Sequence, residues 1–252
     1  MEKTHSQQIV ADFLANLDRP DFIQNLPENI RIELQSKIAY LNGDFGTAIK
    51  DAERAGVDVN DWLEEKEGEG WDSSLPLVKE VLNYLPHEPI ICEIGAGTGR
   101  ESRRFLAAVN GGRIHLVDRS AALVHFLRSY FAKDKRVSVH FSDGITLPFL
   151  SGQSVDHVFS HGTLIYQKLG VIYRLSLEIG RILKKSGTCA FTFIDIDIEE
   201  GWLFLEEQAF LYPDCFTFFS STHIKRIFEK AGLSLIQQST FHNLAFHIYQ
   251  KV

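Results

Sequence analysis

Short apolar runs alternate with helical patterns along the chain from residue 89 onward. The runs have the length of buried strands, and the segments between them carry apolar residues at helical spacing. Five such runs span residues 89–94, 113–117, 137–141, 155–160 and 188–194. This alternation predicts a mostly parallel α/β sheet with helices on both faces. Two more strands, at about 233–240 and 244–252, are separated by a short link that suits an antiparallel hairpin, so seven strands are expected.

The first 70 residues show a helical pattern and none of the strand runs. Apolar residues recur there at helical spacing, at Ile30, Leu34, Ile38 and Leu41. Residues 64–70 are polar and acidic with two glycines, which predicts a loop or hinge. We therefore divide the chain into a helical N-terminal cap, residues 1–70, and an α/β domain, residues 71–252. The cap serves either to cover a site or to form a dimer.

Residues 195–220 interrupt the alternation of strands and helices. They carry seven aromatic side chains, at Trp202, Phe204, Phe210, Tyr212, Phe216, Phe218 and Phe219. An insertion at this end of a sheet often determines specificity, so we interpret the segment as a substrate lid. The alternative is that these rings only cover the edge of the sheet.

Composition and charge exclude several functions. The 252 residues are 44% hydrophobic and 23% charged, which is typical of a globular protein. A net charge of -7 argues against a nucleic-acid surface, which would need clustered Lys and Arg. We expect no membrane span, because apolar runs stay well below about 18 residues. The start lacks a signal-peptide pattern and the three cysteines are far apart, so a reduced, cytoplasmic protein is expected.

A glycine-rich turn follows the first strand and carries the strongest chemical signal in the sequence. Glu93 is followed by Gly95, Gly97 and Gly99, and a helical pattern then begins. Dinucleotide-binding turns use the spacing G-x-G-x-x-G instead. The pattern here, acid-x-G-x-G-x-G after a buried strand, resembles the first motif of the class I, Rossmann-like S-adenosylmethionine-dependent methyltransferases. The resemblance covers about residues 71–252 and does not cover the first 70.

This resemblance implies that S-adenosylmethionine is the cofactor. In the family pattern the glycine turn meets the amino-acid tail and ribose, Glu93 orders the site near the ammonium group, and Asp143 receives the adenine amino group. Asp118 ends the second strand, where its two oxygens match the ribose diol. The expected cofactor-binding set is Glu93, Gly95, Ala96, Gly97, Gly99, Asp118, Arg119, Asp143, Gly144 and Ser160.

The acceptor side is expected after the fourth strand. His161 lies there and is the candidate proton acceptor, because imidazole titrates near neutral pH. The alternative is that His161 only packs or hydrogen-bonds at the end of the strand. Candidate substrate contacts are Trp71, Tyr166 and Trp202. Metal-dependent relatives carry a carboxylate where this chain has Ser160 and His161, so we expect no metal.

The function expected from these residues is methyl transfer to a small, partly apolar molecule at oxygen or nitrogen, without a metal. Two alternatives remain open at this point. One is a protein or peptide methyltransferase, and the other is a non-catalytic module that binds S-adenosylmethionine for partner contact. A homodimer formed through the N-terminal cap is also open.

Overall fold

The computed structural model describes residues 45–71, 75–211 and 215–252, and it describes the backbone alone for 66–71 and 209–211. The helical pattern predicted around Ile30 to Leu41 therefore lies outside the described residues, as does the Trp71 side chain. The α-helices are α1 Gly46–Ala55, α2 Val59–Trp71, α3 Leu75–Leu82, α4 Arg100–Ala108, α5 Ala121–Tyr130, α6 Leu169–Ile182, α7 Glu199–Leu211 and α8 Ser221–Lys230, and a 3-10 turn spans Leu164–Tyr166. The strands are β1 Ile90–Ile94, β2 Arg113–Asp118, β3 Val137–Phe141, β4 Val155–Ser160, β5 Leu183–Asp195, β6 Phe218–Phe219, β7 Leu233–Phe241 and β8 Leu244–Lys251.

The described strands form an eight-stranded sheet in the order β3-β2-β1-β4-β5-β8-β7, and the two-residue β6 pairs with β5. Strands β1 to β5 run parallel to one another. Strand β8 is antiparallel to both β5 and β7. The prediction of a mostly parallel sheet that ends in an antiparallel hairpin is confirmed. The short β6 was not predicted.

The strand order reverses beside β1, which lies between β2 and β4. The helix after β1 crosses toward β2, whereas the chain later returns to the other side of β1 as β4. Ligands of open α/β sheets bind at such a point, at the carboxyl ends of the strands. The glycine turn after β1 and the residues after β4 therefore face one crevice.

Both faces of the sheet are covered by helices, as predicted. On one face, α6 and α8 pack on side chains such as Cys92, Cys189 and Phe191. On the other face, α3, α4 and α5 pack on residues such as Ile91 and Ala190. Neighbouring residues of one strand thus point into different cores, because successive side chains of a strand alternate between faces.

The prediction of a loop at residues 64–70 is wrong, because helix α2 continues through these residues to Trp71. Glu and Lys are good helix formers, and a glycine costs only about 1 kcal/mol relative to alanine. The first turns of α2 are also anchored, since Val59 and Leu63 are buried with Ala48 and Ala52 of α1. This packing outweighs the local glycine signal.

The aromatic segment contains the regular helix α7, followed after the undescribed residues 212–214 by β6. No helix in the described part of the chain combines the length and the apolar character that a membrane span requires.

Candidate cofactor and acceptor site

The glycine turn takes a backbone shape that only glycine adopts readily. Gly95, Gly97 and Gly99 have φ angles of 74°, 56° and 79°, in the left-handed region. A Cβ atom at Gly95 would collide with the Thr163 side chain, so this position is closed by packing as well as by backbone strain. At Gly97, a Cβ atom would meet the Phe45 ring only at 3.5 Å. The turn thus offers its backbone at Gly97 for a close approach.

Asp118, the last residue of β2, is tied to this turn. Its Oδ2 accepts from the Gly97 backbone N–H at 3.1 Å, and its Oδ1 accepts from the Ser120 N–H at 2.8 Å. Burial raises the pKa of the Asp118 carboxyl, and the hydrogen bonds from Ser120 and Gly97 oppose that rise. The carboxylate is therefore held at the carboxyl end of the sheet, beside Gly97.

Glu93 lies on β1 and is 1% exposed. Its Oε2 accepts a hydrogen bond from the Ser102 hydroxyl of α4. Burial raises the pKa of Glu93 well above its ordinary value, and the nearby charge of Glu101 raises it further. A cationic ligand group near this carboxyl would stabilise its ionised form.

Asp143 and Gly144 follow β3 at the same edge. The Asp143 Oδ1 accepts from the backbone N–H groups of Ile145 and Thr146, at 2.8 and 2.6 Å, and its Oδ2 accepts from the Thr146 hydroxyl at 3.0 Å. These bonds, the Thr146 N–H first, lower the pKa of Asp143. Both oxygens are thus used to shape the loop, and contact with an adenine stays a prediction. Arg119 reaches this loop, since its Cδ is 4.0 Å from the place of a Cβ on Gly144.

Ser160 and the residues after β4 close the other side of the crevice. The Ser160 hydroxyl donates to the Ile94 carbonyl at 2.9 Å, and the Thr163 hydroxyl donates to the same oxygen at 3.3 Å. Ser160 is the last residue of β4 and Ile94 the last of β1, so the buried Ser160 hydroxyl links the ends of the two strands, and Ala96 beside them is buried too. This link fixes the glycine turn relative to the acceptor side.

His161 is half-buried directly after β4. Its Nδ1 lies 3.1 Å from the Thr192 hydroxyl of β5, which also accepts from the Gly162 backbone N–H at 3.0 Å. The imidazole and the Phe241 ring form a T-shaped pair, with centroids 5.9 Å apart. The ring is therefore positioned by contacts with both β5 and β7.

Residues 91–187 match a family model described as "Methyltransferase domain". This match spans the glycine turn, Asp118, Asp143 and His161, the residues that the fold brings to one edge. The match and the fold together identify a methyltransferase domain at residues 91–187. The enzyme depends on S-adenosylmethionine. A search of curated protein sequences finds no match.

Solved structures of low sequence identity share the methyltransferase fold. One is the complex of the Haloferax volcanii Trm112 methyltransferase activator with the protein assigned as its methyltransferase, at 20% identity, with 68% of this chain and 87% of that chain covered and a TM-score of 0.56. A second is a S-adenosylmethionine-dependent methyltransferase of Methanosarcina mazei, at 13% identity, with 69% and 97% covered and a TM-score of 0.57. A third is the [4+2]-cyclase SpnF, at 14% identity, with 70% and 80% covered and a TM-score of 0.55. Identities this low establish the shared fold only.

The residues present fit the cofactor of such a methyltransferase. The left-handed turn at Gly97 allows close approach, Asp118 presents a carboxylate beside it, and Glu93 is a buried carboxyl that a cation would stabilise in its charged form. The specific contacts of each residue with the cofactor stay predictions.

The N-terminal helices of the methyltransferase contact this turn, and the sequence did not predict that contact. Asn60, near the start of α2, is 0% exposed. Its side-chain Nδ2 donates to the Thr98 carbonyl at 3.2 Å, and its Oδ1 accepts from the Thr98 hydroxyl at 2.6 Å. Since Thr98 lies between Gly97 and Gly99, α2 holds the cofactor turn directly. Phe45 approaches Gly97 from the same side.

A polar network around this contact anchors α2 to α4 and α5. The Tyr130 hydroxyl accepts from Asn60 at 3.2 Å and donates to Asp58 at 2.7 Å. Arg103 of α4 donates to Asp58, to Asp61 and to Glu64. One local signal was available in the sequence, because Asp58 precedes the helix and accepts from the Asn60 N–H as a helix cap does.

Of the candidate substrate contacts, Tyr166 packs on the aromatic segment, whereas Trp202 is exposed. Tyr166 stacks on Phe216 of the aromatic segment, with centroids 5.6 Å apart. Trp202 of α7 is 46% exposed, and its indole N–H donates to Glu206 at 3.0 Å. None of the described contacts brings Trp202 to His161, and the Trp71 side chain lies outside the described part. Substrate binding by the two tryptophans stays a prediction.

Proposed function

We propose that this methyltransferase acts on a small, partly apolar molecule at an oxygen or nitrogen atom. The observation that supports the proposal is an apolar wall at the carboxyl ends of β4 and β5. Its base is the buried cluster of Ile165, Ile194, Phe204, Phe216 and Leu244, and the partly buried Tyr166, Cys215 and Phe218 pack against that cluster. Apolar walls with a few polar groups are typical of small-molecule sites.

The aromatic segment is held to the acceptor side by its backbone. The Thr217 N–H donates to the Ile165 carbonyl at 2.7 Å, and β6 pairs with β5 through Ile194 and Phe218. This wall therefore begins four residues after His161, in the same turn that follows β4. A partly apolar acceptor would bury its apolar part against the partly buried Tyr166, Cys215 and Phe218 and place its polar atom near His161.

Different residues serve the cofactor side and the acceptor side of methyl transfer. When bound, S-adenosylmethionine supplies a methyl carbon that its sulfonium group activates for displacement. Glu93 and Asp118 place carboxyl groups in the cofactor half of the crevice, where hydrogen bonds from Ser102 and Gly97 fix their orientation. His161 contacts the acceptor, and the apolar wall excludes water, so the chain contributes mainly orientation.

We propose further that the reaction uses no metal and takes place in the cytoplasm. Among the described residues, no group of three or more His, Cys, Asp or Glu side chains is arranged to hold a metal ion. The sequence also lacks a carboxylate at positions 160 and 161, which supports metal-independent transfer.

Methyl-labelled S-adenosylmethionine incubated with the enzyme and a metabolite extract tests the proposal. The expected result is label in a small product, with none formed by the Gly97→Val variant. Label on protein would favour a protein methyltransferase instead. Binding of the cofactor without any transfer would leave only a binding module.

A further inference from the structure

The hairpin of β7 and β8 places its turn at the carboxyl edge of the sheet. The turn consists of His242 and Asn243, the two residues between the strands. Strand β8 runs antiparallel to β5, and Ala245 pairs with Phe193, which lies two residues before the end of β5. The turn therefore lies beside the end of β5, at the edge where open α/β sheets bind their ligands.

The residues on either side of this turn contact the acceptor side of the crevice. The Phe241 ring forms a T-shaped pair with His161. Leu244 belongs to the buried cluster at the base of the apolar wall, together with Ile165 and Phe216. Helix α7 of the aromatic segment also packs on β8. The turn is thus anchored to both features that the proposed function assigns to the methyl acceptor, His161 and the apolar wall.

The side-chain oxygen of Asn243 is buried and unpaired. Its Oδ1 has no hydrogen-bond partner among the residues that the structure describes. Most buried side-chain polar atoms of native proteins have a partner, and each exception calls for an explanation. A carbonyl oxygen has two lone pairs to accept with, and leaving it buried without a donor costs stability. The oxygen therefore favours a ligand that brings a donor to it.

We propose that Asn243 binds the methyl acceptor, and that its Oδ1 accepts a hydrogen bond from an O–H or N–H group of that molecule. Since this assignment rests on the proposed function, it narrows the acceptor class to small, partly apolar molecules that carry such a donor. An ether oxygen or an ionised carboxylate at this place would set a second acceptor against Oδ1. Asn243 adds one polar contact to an apolar wall, the combination that orients ligands in small-molecule sites.

An unpaired oxygen in the site also gives specificity. A site that hydrogen-bonds a substrate O–H or N–H rejects the analogue that lacks this group, because the buried polar group of the protein then stays unpaired. Apolar contacts discriminate less, since they depend on the size of the ligand more than on its polar groups. Asn243 is therefore a specificity-determining residue, and its effect is measurable with two ligands that differ in one donor.

Phenol and anisole are a matched pair of probes for this contact. Both are small and partly apolar, but only phenol can donate a hydrogen bond. Ligand-detected NMR measures their affinities for the full-length enzyme saturated with S-adenosylhomocysteine, the demethylated cofactor, so that no methyl transfer occurs. The quantity compared is the ratio of the affinity for phenol to the affinity for anisole. Asn243→Leu, which is nearly isosteric but apolar, should lower this ratio about fivefold.

Two further variants separate the oxygen of Asn243 from other causes. Gln238→Leu is the matched control, because it removes an amide from an exposed position of the same hairpin, and it should leave the ratio unchanged. Asn243→Asp at pH 8 keeps side-chain oxygens but removes the amide donor, so it should keep the preference for phenol. Loss of that preference in Asn243→Asp would show that the amide nitrogen binds the ligand and would overturn the assignment.

Three other results would also overturn it. They are an unchanged ratio in Asn243→Leu, an equal decrease in Gln238→Leu, and a wild-type enzyme that binds neither probe at millimolar concentration. If Asn243→Leu does not fold, nitrogen-15 NMR of the wild-type side-chain amide decides, with the Asn243 signals assigned by their loss in Asn243→Asp. Phenol should shift these signals well beyond the shift that anisole causes, and equal shifts would contradict the contact.

The methyl-label experiment judges the proposed function separately. A labelled small product together with an unchanged phenol-to-anisole ratio would remove Asn243 from the site and leave the proposed function standing. A lowered ratio without any labelled small product would contradict the proposed function and keep Asn243 as a ligand-binding residue. A labelled small product together with a lowered ratio in Asn243→Leu alone is the result we expect.

Discussion

Replacing Asn60 with alanine should destabilise the protein and loosen the cofactor turn. The substitution removes three hydrogen bonds and leaves the hydroxyl and carbonyl of Thr98, which is 2% exposed, without those partners. Each buried polar group left unsatisfied costs about 1–3 kcal/mol. The Tyr130 hydroxyl adds little to the cost, because it keeps its bond to Asp58.

The net loss should be about 1.5–5.5 kcal/mol, since two unsatisfied groups cost about 2–6 kcal/mol together and alanine recovers about 0.5 kcal/mol through its higher helix propensity. Urea denaturation followed by circular dichroism measures the free energy of unfolding, and calorimetry on the folded variant measures the affinity for S-adenosylmethionine. Asn83→Ala is the control, because Asn83 is exposed and donates a single bond to the Glu80 carbonyl. That change should stay within about 0.5 kcal/mol.

A second substitution tests the cause of the loss. Thr98→Val in the Asn60→Ala background removes the orphaned hydroxyl, so it should cost less there than in the wild-type chain, by about 1 kcal/mol. Equal losses for Asn60→Ala and Asn83→Ala would refute the reasoning and show that α2 is not held to the turn by this contact.

Three further predictions concern the glycine turn, the buried acid and metals. Gly95→Ala should lower the melting temperature more than Gly56→Ala does. Both glycines have a positive φ, but only at Gly95 would the new Cβ atom collide with Thr163, so equal decreases in melting temperature would contradict the clash. Glu93→Gln should stabilise the cofactor-free protein at pH 8 and weaken cofactor binding. The raised pKa of Glu93 means that the wild-type chain loses stability as pH rises through that pKa, so the difference should vanish near pH 4, and a constant difference across a pH series would refute this. Turnover should survive a metal chelator, and a loss restored by magnesium would contradict that expectation.

Features that depend on neighbouring residues were predictable from the sequence. The spacing of Glu93, Gly95, Gly97 and Gly99 is local, and the left-handed turn follows from the steric freedom of glycine. Asp118 was predictable as the acid that ends a strand, and the fold places its carboxylate on the Gly97 N–H. The strand pattern likewise predicted the parallel sheet and its terminal hairpin, because each strand is an apolar run of its own.

Features that depend on contacts between distant segments were not predictable. Asn60 meets Thr98 from 38 residues away, and His161 meets Thr192 from 31 residues away. A single sequence shows neither pairing, because each depends on how whole elements pack. The helix at residues 64–70 was missed for a related reason, since burial of the first turns of α2 outweighed the local glycine signal.

Calorimetric titration of S-adenosylmethionine tests the central claim most directly. The wild-type chain should bind one equivalent and should not bind NAD. Gly97→Val should lose at least tenfold in affinity, because a branched side chain at a φ of 56° distorts the turn and fills the approach to its backbone. Gly232→Val is the control, since Gly232 has a φ of 78° and open space around it, away from the turn. Tenfold weaker binding in folded Gly97→Val alone is the result we predict, whereas equal affinity in all three proteins, or binding of NAD in place of S-adenosylmethionine, would contradict the account.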